Sequence, residues 1–241
     1  MKVLTIGSLE AASSPYFVQM RCLSRSLGVV MVNFPKELWI QPLDPNGKMV
    51  FHLGNVQTYI TNGQVYAFNF SEIKRIDLTL LRRTESEYPM LLLNNIALPI
   101  MQDIPPEERF DTVVNILTMF SQVNRTEWPK VWLYSLQCLA NLFDGTPIIA
   151  SNVIPFLNTN AQLWLRFSDG MIILKEDQTD YTDGLQVGSI FIGLLQGAET
   201  KNFVFKKDET DRRLWLKTIS IMQDYLKYRF NFNFKPQKRR P

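Results

Sequence analysis

The chain has 241 residues, of which 46% are hydrophobic and 20% charged. That length suits one large domain or two of about 100–120 residues, each able to bury a core, and the composition excludes general disorder. A net charge of +3 is too small to imply a nucleic-acid partner by itself, and two cysteines are too few for a disulfide framework.

The opening MKVLTIGSLEAASS has an apolar run too short for a signal-peptide core, so secretion is not expected. No stretch approaches 18 uninterrupted apolar residues, so none is expected to span a membrane. Cys22 and Cys138 lie among apolar neighbours and read as reduced thiols, which places the protein inside the cell, in cytoplasm or nucleus. The triplets Asn69-Phe70-Ser71 and Asn124-Arg125-Thr126 are then chance matches to a glycosylation pattern.

KVLTI reads as a strand, Leu9 to Leu27 as a short helix broken near Pro15, and GVVMVNF as a strand. From Glu37 onward short runs alternate with turn residues. LWIQPL and KMVFHL flank Asp44-Pro45-Asn46-Gly47, QTYI and QVYAFNF flank Asn62-Gly63, and RIDLTLL has the period of two of a half-buried strand. MLLLNN and ALPIM complete a seven-strand meander. DIPPEERFDTVVNILTMF then carries helix signals: Asp103 as N-cap, Pro105 and Pro106 in the first turn, and Phe110, Val113, Leu117 and Phe120 on one face.

SQVNRTEWPK is polar and contains Pro129, as a linker would. VWLYSLQCLANLF reads as a helix ending at Asp144-Gly145. Short runs resume with PIIA, VIPFL, QLWLRF and MIILKE, the acidic DQTDYTDG follows, and VGSIFIGLLQG and NFVFKK read as further runs. A last helix starts after Asp208, with Trp215, Ile219, Met222 and Leu226 as its apolar stripe.

Three landmarks recur in order: Asn62-Gly63 with Asp169-Gly170, IDLTLL from Ile76 with IFIGLL from Ile190, and Asp103 with Asp208. This suggests two units of one α+β design, each a strongly bent antiparallel β-meander closed by a C-terminal amphipathic helix. The segment NFVFKKDETDRRLWLKTISIMQDYL, a strand leading into a helix that bears Trp215, resembles pleckstrin-homology domains. The expected organisation is an N-terminal segment 1–35, a first pleckstrin-homology-like unit 36–122, a linker 123–130, a second unit 131–230 and a basic tail 231–241. The resemblance implies a docking role, yet phosphoinositide binding would need Lys and Arg around the first hairpins. The Asn62-Gly63 hairpin has none, and the Asp169-Gly170 hairpin offers only Arg166 and Lys175.

No catalytic constellation stands out. His52 is the single histidine and sits in a strand-like run with no partner motif, and the cysteines are far apart in sequence. Glu176, Asp177, Asp180 and Asp183 lack the central glycine and final glutamate of a calcium loop. VLTIGSLEAASS has one glycine where a dinucleotide-binding turn needs several. No enzyme activity, cofactor or metal is expected.

The expected role is a protein-interaction or scaffold module in an intracellular assembly, with other proteins as partners. The candidate surface is the end of the chain: Tyr228, Phe230, Phe232 and Phe234 anchoring at alternating positions, Lys235, Lys238, Arg239 and Arg240 steering. The alternatives are a nucleic-acid-associated structural protein gripping phosphates with the same tail, and a membrane-surface adaptor binding anionic lipid.

Overall fold

The structure, a computed structural model, describes residues 1–10, 15–38, 50–78, 104–123, 127–157, 159, 161–199 and 209–234. They belong to two compact units, residues 1–125 and 126–241, and the protein is of mixed α+β class.

In the first unit, β1 (Lys2–Glu10), β2 (Phe17–Ser24), β3 (Gly28–Pro35), β4 (Val50–Thr61) and β5 (Gln64–Asp77) close into a barrel. The strand order is β1-β2-β3-β5-β4, with β1 returning to β4. Every neighbouring pair is antiparallel except β3 and β5, which run parallel through Val32–Val65 and Asn33–Tyr66. Alternation sets the inside: Val18, Met20 and Cys22 are buried while Phe17, Gln19 and Arg21 are only partly so. The interior is filled by these together with Val32, Phe34 and Phe70.

Two long strands replace four short ones. From residue 50 onward, VFHL and QTYI belong to β4, and QVYAFNF and the Arg75–Asp77 start of RIDLTLL belong to β5; residues 79–81 lie outside the described residues. The pairing slips between Leu53 and Asn55 and again between Gln57 and Thr58, and each time β5 carries the extra residue. Such bulges bend a strand sharply, which lets one hairpin wrap the barrel, and they interrupt the period of two that marks a strand in sequence. Gly54 lies at the first slip, where an added Cβ would come within 2.4 Å of the Phe70 ring.

Among the described residues of the stretch Leu9 to Leu27 the expected helix is absent: β1 runs to Glu10 and β2 covers Phe17–Ser24, because residues 17–22 alternate with period two rather than 3.6. Segment 1–35, set apart on sequence, therefore supplies three of the five barrel strands.

Helix α1 (Pro106–Gln122) forms as its prolines and acidic first turn predict, with Pro105 as cap residue. Phe110, Val113, Leu117 and Phe120 are all buried, and the helix packs on β2, β3 and β5. Arg25, in the β2–β3 turn, pairs with Glu107 at 2.6 Å and Asp111 at 3.1 Å, which fixes the helix at that end of the barrel.

The second unit contains α2 (Trp128–Asn141), β6 (Ile148–Ile149), β7 (Leu163–Leu165), β8 (Met171–Leu174), β9 (Leu185–Val187), α3 (Ser189–Glu199) and α4 (Glu209–Phe230). Its sheet runs β6-β8-β7-β9, with β6 parallel to β8. IFIGLL, expected as a strand, lies in α3: Phe191, Ile192 and Leu195 are buried and Ile190 is exposed, one face of a helix. A continuous apolar run does not reveal its period. VIPFL likewise forms a 3-10 segment, Ser151–Phe156. In α4 the expected stripe of Trp215, Ile219, Met222 and Leu226 is buried.

The two landmark hairpins differ. Asn62 and Gly63 both have positive φ, 49° and 72°, a two-residue turn matched to strand twist. At Asp169-Gly170 only the glycine is left-handed, at 76°, in a longer loop closed by Arg166 N–H to the Met171 carbonyl at 2.9 Å. The units thus share a class and an amphipathic helix following their strands, but differ in strand order. LWIQPL beyond Leu38, the Asp44–Gly47 turn, MLLLNN, ALPIM, Asp103, NFVFKK and Asp208 lie outside the described residues.

Candidate binding face

The Asn62-Gly63 turn sets the register of β4 on β5 and so places Tyr59 opposite Tyr66. Across the barrel wall, Tyr66 pairs with Asn33 of β3, and Pro35, two residues along β3, pairs with Phe17 of β2. Outward positions on four adjacent strands therefore carry Phe17, Pro35, Tyr66 and Tyr59 in one row. The two tyrosine rings stack, with centroids 5.4 Å apart and planes 15° off parallel, and Phe17 meets Tyr66 edge-on at 5.2 Å. Phe68, turned outward at the second bulge, adds a ring 6.4 Å from Tyr59.

Phe17 and Tyr66 are half-buried, whereas Tyr59 is 46% exposed and Phe68 57%, with Tyr16, before β2, at 74%. A lone exposed apolar residue needs no account, but a contiguous aromatic patch does. Its polar companions are amides. Asn69 donates to Gln57 at 3.3 Å, the Tyr66 hydroxyl donates to Gln64 at 2.9 Å, and Asn33 donates to the Val65 carbonyl at 3.1 Å. Gln19 pairs across from Asn33, and Arg21 from Met31. Arg21 is the one Lys or Arg in β2, β3, β4 and residues 64–71, which contain no Asp or Glu; Glu72, Lys74, Arg75 and Asp77 follow on β5. Lys36 and Glu37 follow β3. The sequence signal for this face is the pair Tyr59 and Tyr66, placed symmetrically about Asn62-Gly63.

The residues expected to bind partners sit elsewhere. Tyr228 is 59% exposed on α4, its ring 5.6 Å from Phe167. Asn231, at φ 56°, ends the helix and turns the chain back. Phe232 is then 1% exposed, edge-on to Phe143 at 5.2 Å. Phe230 packs on Phe143 at 5.1 Å and Phe234 stands edge-on to Trp132 at 6.3 Å. Residues 231–234 form no strand. These three rings anchor the chain's end to its own unit, so Phe232 contacts a partner only by leaving that core. Lys235, Lys238, Arg239 and Arg240 lie outside the described residues.

Groups with chemical potential are held structurally. His52 is buried, its backbone N–H donating to Thr5 Oγ1 at 3.0 Å. Burial, with Arg75 opposite, lowers its pKa to about 4, so the ring is neutral at pH 7. The Cys22 thiol is buried in the barrel and pushed up to about 12 by the loss of solvent, which leaves it unreactive. In the acidic loop, Asp183 accepts from the backbone N–H groups of Phe167 and Ser168 at 3.0 Å, Asp180 from Thr182 at 2.9 Å, and Asp177 from Asn152 at 3.1 Å. Asp180 serves its own turn, Asp183 and Asp177 hold neighbouring segments, and no cluster that could hold a metal ion occurs among the described residues.

A cavity of about 580 Å³ in the second unit is lined by residues that include Gln162, Gln186, Phe191 and Thr218; among the described residues Lys217 is its one titratable group. No described helix is long and apolar enough to cross a membrane. No family model matches the chain, and no curated protein matches it.

Proposed function

We propose that the protein is a non-enzymatic interaction module of a larger intracellular assembly, and that it engages its partner through the outer face of the barrel. One observation carries this reading: the aromatic row of half-buried Phe17 and Tyr66 with exposed Tyr59 and Phe68 on the hydrogen-bonded wall of the barrel. Exposed aromatics cost solvation and add aggregation hazard, so a surface that keeps several together is best explained by something that covers them. The inert state of His52 and Cys22 supports a binding rather than a catalytic role. The pleckstrin-homology-like resemblance around Trp215 supports the same class of role, since members of that family commonly dock proteins. Fold class alone does not fix function.

The test is a photo-crosslinking amino acid installed at Phe68 or, separately, at Tyr228, in the native source. The expected outcome is a defined adduct from position 68 and none from position 228. Adducts from position 228 alone would return the contact surface to the chain's end.

A further inference from the structure

We infer that the partner of the aromatic face is single-stranded nucleic acid, held by base stacking more than by phosphate pairing; this rests on the reading of that face as a contact surface. Three observations carry it. The first is the ring array, with neighbouring centroids 5.2 and 5.4 Å apart and Phe68 beyond at 6.4 Å. Successive unpaired bases stack on such side chains irrespective of sequence, because every base has a π-face.

The second is placement. The row starts at the first residue of β2, beside the β1–β2 connection, and ends at the β4–β5 turn. In five-stranded Greek-key barrels that bind oligonucleotides, the ligand crosses strands 2 and 3 between those two loops. Here α1 closes the β2–β3 turn end, which leaves the opposite end of the wall to the row.

The third is the charge and hydrogen-bonding character. No carboxylate stands in β2, β3, β4 or residues 64–71, and Arg21 is their one Lys or Arg; Glu72, Lys74, Arg75 and Asp77 lie farther along β5. The amides of Gln19, Gln57 and Asn69 can donate to or accept from base edges. A duplex hides its base faces and would be met through phosphates, for which one or two cations are too few. An anionic lipid surface asks for the same missing cluster.

The experiment is fluorescence anisotropy of the full chain with a labelled 15-nucleotide oligothymidine, a labelled oligouridine of equal length and a duplex of equal length. Binding to the single strands is expected, with the duplex at least tenfold weaker. Tyr59→Ala and Tyr66→Ala should each weaken binding by about tenfold, the range that loss of one stacked base gives. Tyr66→Phe should stay within about twofold of the parent, which excludes misfolding as the cause, and Tyr228→Ala should change nothing. The slope of log affinity on log salt should be about −1, as one or two phosphate contacts require.

Failure to bind, or binding that survives Tyr59→Ala and Tyr66→Ala yet disappears when Lys235, Lys238, Arg239 and Arg240 are all changed to Gln, overturns the inference. If the oligonucleotides fail while a crosslinker at Phe68 still captures one polypeptide after nuclease treatment, the face is a protein contact and only the nucleic-acid assignment falls. If the crosslinker is silent too, the contact-face reading falls with it.

Discussion

His52 shows how one buried side chain can make the stability of the barrel pH-dependent. Its folded pKa of about 4 lies below the ordinary value of 6.5, because a charged imidazole would lose its solvent beside Arg75. Between those two values the unfolded chain binds the proton and the folded barrel does not. Stability contributed by the neutral ring is therefore complete above about pH 6.5 and is lost as pH falls toward 4. By that linkage the loss from pH 7 to pH 5 is about 2 kcal/mol. Urea unfolding of the parent and of His52→Gln at the two values checks it: the parent midpoint should fall and the variant's should fall much less. Equal drops would mean that carboxylates, not His52, set the acid response. Gly54 argues the same point sterically. Its missing Cβ leaves room for the buried Phe70 ring, so Gly54→Ala should cost about 1–3 kcal/mol by overpacking, read as a lowered melting temperature.

At the scale of elements, what the sequence revealed depended on whether a pattern kept its period. Helix α1 was legible because Pro105, Pro106 and the acidic first turn mark its start, and Phe110, Val113, Leu117 and Phe120 hold one face. The same holds for the stripe on α4, where Met222 is fully buried; Met222→Ala should cost about 2–5 kcal/mol of stability. A denaturation midpoint unchanged in that variant would show the stripe is not a core. The β4–β5 hairpin was legible at its Asn-Gly turn and obscured beyond it, since two bulges on β5 each reset the alternation. IFIGLL was misread because an uninterrupted apolar run fits a buried strand and a buried helix equally. The aromatic face was the hardest to see. It joins Phe17 to Tyr66 and Tyr59 through β3, and the parallel β3–β5 pairing that brings them together links residues 32 or more apart in sequence without a local signal. The YRFNFNF segment fits two outcomes by its alternation, packing back on its own unit or adding an edge strand to a partner; Asn231 turns it back and Phe232 meets Phe143.

For the whole molecule, the boundary between the units decides what a fragment can do. Sequence placed a linker at 123–130 and opened the second unit at residue 131; the units divide between Arg125 and Thr126, inside that linker. Helix α2 begins at Trp128, which is only 5% exposed, and Lys130 in the same first turn is 8% exposed. Lys130 N–H also donates to the Glu127 carbonyl at 3.0 Å, so the turn is part of the second unit's structure. A fragment of residues 126–241 should then unfold cooperatively on its own, because its core contains α2, the small sheet and α4. A fragment opening at residue 131 discards the Trp128 ring together with the first helical turn. Loss of a buried tryptophan side chain costs about 3–5 kcal/mol, a large part of what a domain of this size has in total. Thermal unfolding followed by circular dichroism should therefore give a sharp transition for the longer fragment, and a broad or much lower one for the shorter. Identical transitions would place Trp128 outside the fold and restore the boundary at 131. The same experiment on residues 1–125 asks whether the barrel that presents Tyr59 and Tyr66 stands alone. If it does, the oligonucleotide titration can be repeated on that unit, where Lys235, Lys238, Arg239 and Arg240 are absent, and any binding that persists belongs to the aromatic face.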